Sequence, residues 1–203
     1  DLHLALGQLG AGVSWEGEKY CLPVTVQRGV SCSDSVQVSA NTSSQFVTSL
    51  MLIAPMLDSG LTIELVGDVI SLPYITMSAS VMRSFGASVA IDEATISVAS
   101  GSYKGREYRI EPDYSSAAFP LAAVAVREGR VVIPGLATAS LQGDSEIVRI
   151  LRMMGMTCEV SGADVSVTRH SDQQVVPVIM DMSNCSDLVP AVAVACCMAS
   201  GES

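Results

Sequence analysis

Three segments of this 203-residue chain share one pattern, two small polar residues ahead of an apolar run: SSQFVTSLMLIAP from Ser43, SSAAFPLAAVAV from Ser115 and SDLVPAVAVACCM from Ser186. They start 72 and 71 residues apart. Self-similarity at a fixed period constrains a fold strongly, because a unit too small to cover its own apolar face must pack against the next.

A second helical pattern recurs out of phase with the first. LALGQLGAGVSW, VMRSFGASVAI and ILRMMGMTCEV each end a helix at a glycine, Gly10, Gly86 and Gly155, where a left-handed C-terminal cap belongs. In the third, Ile147, Ile150, Leu151 and Met154 recur at helical spacing with Glu146, Arg149 and Arg152 away from them, which predicts a one-sided buried helix. Alternating stretches follow, PVTVQ, TISVA and DVSVT, placing Val24 and Val26, Ile96 and Val98, and Val165 and Val167 on one strand face. LTIELVG and RVVIPG complete units of the form β-α-β-α-β-β, an α/β (α+β) class. Pro120 and Pro190 fit a first helical turn, which predicts helix N-termini at Ser115/Ser116 and Ser186/Asp187. The chain opens at Asp1 within a helical pattern and stops after the first helix of another unit, so it is expected to be a central fragment of a longer parent.

The net charge is −10, from 21 acidic and 11 scattered basic residues. Binding a phosphate backbone needs a basic stripe, which excludes nucleic acid as the expected partner. Apolar runs fall short of the ~18 residues of a membrane span, so the chain reads as soluble. Cys21, Cys32, Cys158, Cys185, Cys196 and Cys197 include an adjacent pair and no C-x-x-C spacing. They are expected to be reduced, mostly buried thiols of a cytoplasmic protein without a zinc site. His3 and His170 have no partner at catalytic spacing, and no G-x-S-x-G, Walker or zinc-hydrolase motif occurs.

Candidate chemistry lies at the helix starts. Ser43, Ser44 and Gln45 present two hydroxyls, an amide and backbone N–H groups at the positive end of a helix dipole, suited to a phosphate. In the third repeat, Asp187 presents a carboxylate instead. Ser71 and Tyr74 enter a second helix with Pro73 in its first turn, while Gly143 and Asp144 look like turn and cap chemistry. Each of these residues is also an ordinary helix cap or packing residue.

Taken in order, SSQFVTSLMLIAP, GDVISLPYITMSASVMRSFG, YRIEPDYSSAAFPLAAVAV, SLQGDSEIVRILRMMG and MDMSNCSDLVPAVAVA resemble the EPSP synthase (3-phosphoshikimate 1-carboxyvinyltransferase) family across essentially the whole chain. The resemblance implies a two-lobed inside-out α/β barrel, each lobe of three units, closing over a cleft and incomplete here. Its hinge falls near Glu111 and Pro112, dividing the chain into partial lobes at 1–111 and 112–203. The implied reaction moves the enolpyruvyl group of phosphoenolpyruvate to the 5-hydroxyl of shikimate 3-phosphate without cofactor or metal. By the same resemblance Ser43, Ser44, Gln45, Ser71 and Tyr74 are substrate contacts and Asp187 is the catalytic proton acceptor. Leu72 departs from the basic residue common after the serine of the family's S-K-P-Y-I turn. The family's N-terminal lysine, serine and arginine, its N-A-G-T loop and the cations of its C-terminal third have no counterpart here. The isolated chain is therefore expected to be inactive; family members are monomers, whereas open sheet edges can make a fragment self-associate. Two alternatives stand beside this: the sister transferase acting on UDP-N-acetylglucosamine, and a non-catalytic repeat scaffold.

Overall fold

The computed structural model describes residues 2–29, 33–39, 41, 43–67, 71–136 and 140–203. Cys32, Thr42 and residues 68–70 of GDVISLPY lie outside the described residues. The chain divides into two compact units, Asp1–Glu107 and Tyr108–Ser203.

In the first unit, helix α1 (Leu2–Gln8) leads into an antiparallel ribbon of β1 (Gly12–Trp15) and β2 (Val24–Gln27). His3, Trp15 and Tyr20 stack in a ring cluster, with His3 and Trp15 centroids 5.4 Å apart and Trp15 and Tyr20 5.1 Å apart. Edge-on ring contacts of this kind hold the ribbon against α1. Val26 does not share a buried face with Val24 as its alternation predicts, because a two-stranded ribbon buries little and Val26 is exposed.

Next come β3 (Ser35–Ser39), α2 (Ser44–Ile53), β4 (Leu61–Val66), α3 (Leu72–Ser84), β5 (Val89–Asp92) and β6 (Thr95–Val98), one full β-α-β-α-β-β unit. The sheet order is β3-β4-β6-β5, with β3 and β4 parallel and β6 antiparallel to both β4 and β5. Alternate residues of the strands, Val36, Val38, Leu61, Ile63, Leu65, Ile96 and Val98, point inward. They meet Val47, Leu50 and Met51 of α2 and Ile75, Ala79 and Met82 of α3. Thr62, Glu64 and Ser97 take the other face, so one side of the sheet carries the core.

The second unit holds α4 (Tyr114–Val126), β7 (Gly129–Ile133), α5 (Ile147–Met153), β8 (Thr157–Ser161), β9 (Asp164–Arg169) and α6 (Val189–Cys196). Its sheet runs β7-β9-β8, antiparallel throughout. Val165 and Val167 of β9, Leu121 and Ala125 of α4, Ile147, Ile150 and Leu151 of α5, and Ala191 and Ala195 of α6 share its core. The sheets are open, and no closed barrel forms among the described residues.

The three glycines sit in the left-handed region, Gly10 at φ 84°, Gly86 at 89° and Gly155 at 92°. Each helix closes with a bond from the residue after its glycine to a carbonyl five residues back: Ala11 to Leu6 (2.9 Å), Ala87 to Met82 (3.0 Å) and Met156 to Leu151 (3.1 Å). Only this backbone turn supplies the last carbonyls with donors while ending the helix, which is why the pattern repeats.

Three details differ from the sequence expectation. Helix α4 starts at Tyr114, ahead of the serines, because Asp113 caps it by accepting from the N–H groups of Ser115 (3.0 Å) and Ser116 (3.2 Å). Pro120 therefore lies in the helix interior, where it offers no N–H to the Ser116 carbonyl. Pro190 does occupy a first turn, but α6 begins at Val189, and Ser186–Leu188 form a 3-10 turn ahead of it. Finally, the segment ahead of α4 forms no strand. Ile110 there is 84% exposed, with no neighbouring ladder among the described residues to cover it.

Candidate functional site

Strands β3 and β4 are parallel, and β5 runs the same way because both β4 and β5 oppose β6. The helices linking these strands, α2 and α3, must both run back against them. Their N-termini therefore lie together at the C-terminal edge of the β3–β4 pair. Ligands of open α/β sheets sit at this edge, where strand ends leave a crevice and helix dipoles point outward.

At the α2 tip, Ser43 is the cap, in extended conformation, and its hydroxyl accepts from the Gln45 N–H at 3.2 Å. That bond uses a lone pair and leaves the hydroxyl proton to donate. Ser44 is buried at the first helical position and Gln45 is exposed. The Ser39 hydroxyl at the end of β3 donates to the Asn41 side chain, which lies beside Gly67 at the end of β4.

At the α3 tip, Ser71 occupies the cap position in the left-handed region (φ 57°, ψ 37°) and makes no side-chain cap bond. A non-glycine residue there costs on the order of 1 kcal/mol. Pro73 contributes no N–H to the first turn, and the Tyr74 N–H returns to the Ser71 carbonyl at 3.1 Å. No acidic residue stands in the first turn of either helix. Within the first turn of each helix, therefore, no side-chain carboxylate offsets the positive end of the dipole.

The α4 tip is built oppositely. Asp113 accepts from two N–H groups and from the Ser116 hydroxyl (2.5 Å). The Ser116 hydroxyl, and then the backbone donors, hold its carboxyl below the usual range. Asp144 is fully buried and accepts from the Ser115 hydroxyl. Gln142 spans the turn, donating to the Pro112 carbonyl and accepting from the Tyr114 N–H, both at 2.8 Å. Gly143 and Asp144 belong to a 3-10 turn, and Asp144 faces inward against α4 rather than capping α5. A tip closed by two carboxylates repels an anion.

Asp187 stands in the second unit, in the middle of the 3-10 turn before α6, exposed and facing the Ser186 hydroxyl at 3.4 Å. Ser43, Ser44, Gln45, Ser71 and Tyr74 thus share one end of the first unit, while Asp187 belongs to the other. Asp113, Gln142 and Asp144 were not singled out as a linked group by sequence. Asp113 in PDYSS offered the signal of an acidic cap, and nothing local marked Gln142.

The described cysteines are free thiols. Cys185 is buried, Cys158 and Cys196 are half-buried, and Cys21 and Cys197 are exposed, so burial is less general than expected. Burial raises the Cys185 thiol above its ordinary value, and Asp144 and Glu146 raise it further. No helix among the described residues is long and apolar enough to cross a membrane. No group of three or more metal-binding side chains occurs among them.

Residues 1–203 match the family model described as EPSP synthase (3-phosphoshikimate 1-carboxyvinyltransferase). The 3-phosphoshikimate 1-carboxyvinyltransferase of Methanospirillum hungatei is 34% identical over 192 residues, covering 92% of this chain and 44% of that protein. The enzyme of the same name from Colwellia psychrerythraea is 33% identical over 200 residues, 97% of this chain and 46% of its own length. Among solved structures, EPSP synthase from Acinetobacter baumannii superposes with a TM-score of 0.70 at 21% identity, covering 98% of this chain and 47% of that one. The enolpyruvyl transferase NikO from Streptomyces tendae gives 0.73 at 17% identity, covering 98% and 49%. These structural likenesses concern the fold. The chain spans about half the length of the curated relatives it matches.

Proposed function

The chain belongs to the EPSP synthase family, and on that premise we propose that the full-length protein transfers the enolpyruvyl group of phosphoenolpyruvate to the 5-hydroxyl of shikimate 3-phosphate. One observation carries the reading: two neighbouring helix tips without first-turn acids, bearing Ser43, Ser44, Gln45, Ser71 and Tyr74, at the C-terminal edge of a parallel strand pair. That arrangement suits a phosphorylated, hydroxylated ring, with N–H groups and hydroxyl protons as donors to phosphate.

In the addition step the 5-oxygen bonds to C2 of phosphoenolpyruvate as its proton passes to the Asp187 carboxylate and a general acid of the full-length site gives C3 a proton, the C2–C3 double bond becoming single. In the elimination step the conjugate base of that acid takes a proton back from C3 as the bond from C2 to the phosphate oxygen breaks, and the proton held by Asp187 leaves with the inorganic phosphate, giving the enolpyruvyl ether. Asp187 acts as general base, a role that requires it within hydrogen-bond reach of the hydroxyl. The activity belongs to the full-length protein, working as a cytoplasmic monomer, and the 203 residues alone are silent.

Phosphate release by the full-length protein tests this. Turnover is expected with shikimate 3-phosphate and phosphoenolpyruvate and not with UDP-N-acetylglucosamine. Ser44→Ala raises KM for shikimate 3-phosphate about tenfold or more, the loss of one bond to a charged group. Asp187→Asn lowers kcat by about two to four orders of magnitude. Turnover with the nucleotide sugar instead, or an Asp187→Asn variant as fast as the parent, defeats the reading.

A further inference from the structure

Helices α2 and α3 run in the same direction and pack on Val47, Met51, Ile75 and Ala79, all fully buried. At the rim of this contact the Thr48 and Ser78 hydroxyl oxygens lie 3.2 Å apart. The Ser78 hydroxyl also donates to the Tyr74 carbonyl, at 2.8 Å. A hydroxyl has one proton, so Thr48 must be the donor to Ser78. The result is a directed relay from Thr48 through Ser78 to the backbone of Tyr74.

Thr48 lies four residues after Ser44, and Ser78 four residues after Tyr74. Residues four apart share a helix face, one turn above the other. Because the helices are co-directional, one turn toward their N-termini from the Thr48–Ser78 contact brings Ser44 opposite Tyr74. The link therefore lies one turn beneath both tips and fixes their separation and rotation. Ser84 makes a similar back-bond, to the Ser80 carbonyl at 3.0 Å, and bonds no residue of α2.

We propose that Thr48 and Ser78 are positioning residues, holding the two hydroxyl-bearing tips at the spacing that grips the phosphorylated substrate. The proposal rests on the substrate site assigned under Proposed function. Neither residue touches substrate; each acts through Ser44 and Tyr74. A phosphate contact held equally in ground state and transition state, once weakened, raises KM and leaves kcat unchanged.

Steady-state kinetics of the full-length protein tests it, with thermal melting alongside. Thr48→Val keeps the shape and removes the donor, and is expected to raise KM for shikimate 3-phosphate about fivefold, the worth of one neutral hydrogen bond. Its kcat stays within about twofold of the parent's. Thr48→Ser restores KM, Ser78→Ala matches Thr48→Val, and the double variant is no worse than either single one. Ser84→Ala leaves KM unchanged. A Thr48→Val variant with a lowered Tm and an unchanged KM, beside a Ser44→Ala variant whose KM rises, overturns the positioning role alone. If Ser44→Ala also leaves KM unchanged, the site assignment fails and the proposal falls with it.

Discussion

Gln8 and Gln37 are joined by two hydrogen bonds between one side chain and the backbone of one residue. The Gln37 N–H donates to Gln8 Oε1 at 2.8 Å, and Gln8 Nε2 donates to the Gln37 carbonyl at 3.1 Å. An amide side chain from the end of α1 thus occupies the donor and acceptor that an added strand would use. Two residues earlier, the Ser33 hydroxyl does the same for Ser35, accepting from its N–H (3.2 Å) and donating to its carbonyl (2.7 Å). In a parallel ladder alternate residues face the partner strand, so Ser35, Gln37 and Ser39 are the outward residues of β3, and side chains occupy the backbone groups of the first two.

Gln8→Ala is therefore expected to open that edge. The bonds are exposed, so equilibrium urea unfolding is expected to show a loss of only about 1 kcal/mol. The larger effect is on association: sedimentation at rising concentration should show more self-association than the parent sequence does. Gln8→Glu, which can accept from Gln37 but not donate to it, falls between. An Ala variant as monodisperse as the parent would show that the amide does not guard the edge.

The glycine caps separate by what surrounds them. A Cβ on Gly155 would lie 3.0 Å from the Gln174 carbonyl, backbone held in place by the Val176 N–H bond to the Met154 carbonyl (2.9 Å). On Gly86 it would meet the Lys104 side chain at 3.2 Å, which can swing away. Both substitutions carry the left-handed penalty of about 1 kcal/mol, so Gly86→Ala should cost about that much and Gly155→Ala about 2 to 3 kcal/mol. Urea unfolding of the two variants measures the difference, and equal losses would contradict it.

Much of this was legible because the repeat speaks three times. The glycine turns, the strands LTIELVG and TISVA and the inward face of α5 follow from period and cap chemistry alone. Arg83 and Arg152 show where that legibility ends. Each stands three residues before its glycine and donates to the carbonyl three residues after it, Arg83 to Val89 (3.1 and 2.9 Å) and Arg152 to Cys158 (3.0 Å). Sequence placed Arg152 on the solvent face and had no means of giving it an edge strand to cover. The start of α4 failed for a similar reason: Asp113 and Ser115 are both good caps, and Gln142 and Asp144, some 30 residues on, favour the earlier one. At the candidate site the polar tips stood out in the sequence, but the Thr48–Ser78 link did not, since only helix packing brings those hydroxyls together.

Thiol reactivity follows burial. Among the described cysteines, site-resolved mass spectrometry after brief treatment with a thiol reagent at pH 8 should find Cys21 and Cys197 modified first, as both are exposed. Cys185 should stay unmodified until the chain unfolds, because burial, with Asp144 and Glu146 nearby, disfavours its thiolate. Rapid labelling of Cys185 in the folded protein would mean that its surroundings open on the timescale of the reaction.

Asp113 links the α4 cap to pH. Its carboxyl is held below the ordinary value chiefly by the Ser116 hydroxyl, with help from the Ser115 and Ser116 N–H groups. A group whose folded pKa is depressed contributes stability that is present above its unfolded value, near ~3.9, and is lost as pH falls through the folded value. Asp113→Asn keeps a side-chain oxygen for the cap but cannot titrate. The parent is therefore expected to be the more stable at pH 7, with the gap closing as pH falls below about 4. Because the carboxylate is largely exposed, salt should shrink the gap at every pH. Urea midpoints of both proteins from pH 7 to pH 3 measure this, and a gap that widens toward low pH would reverse the sign assigned here and show that the ionised carboxylate destabilises the helix it caps.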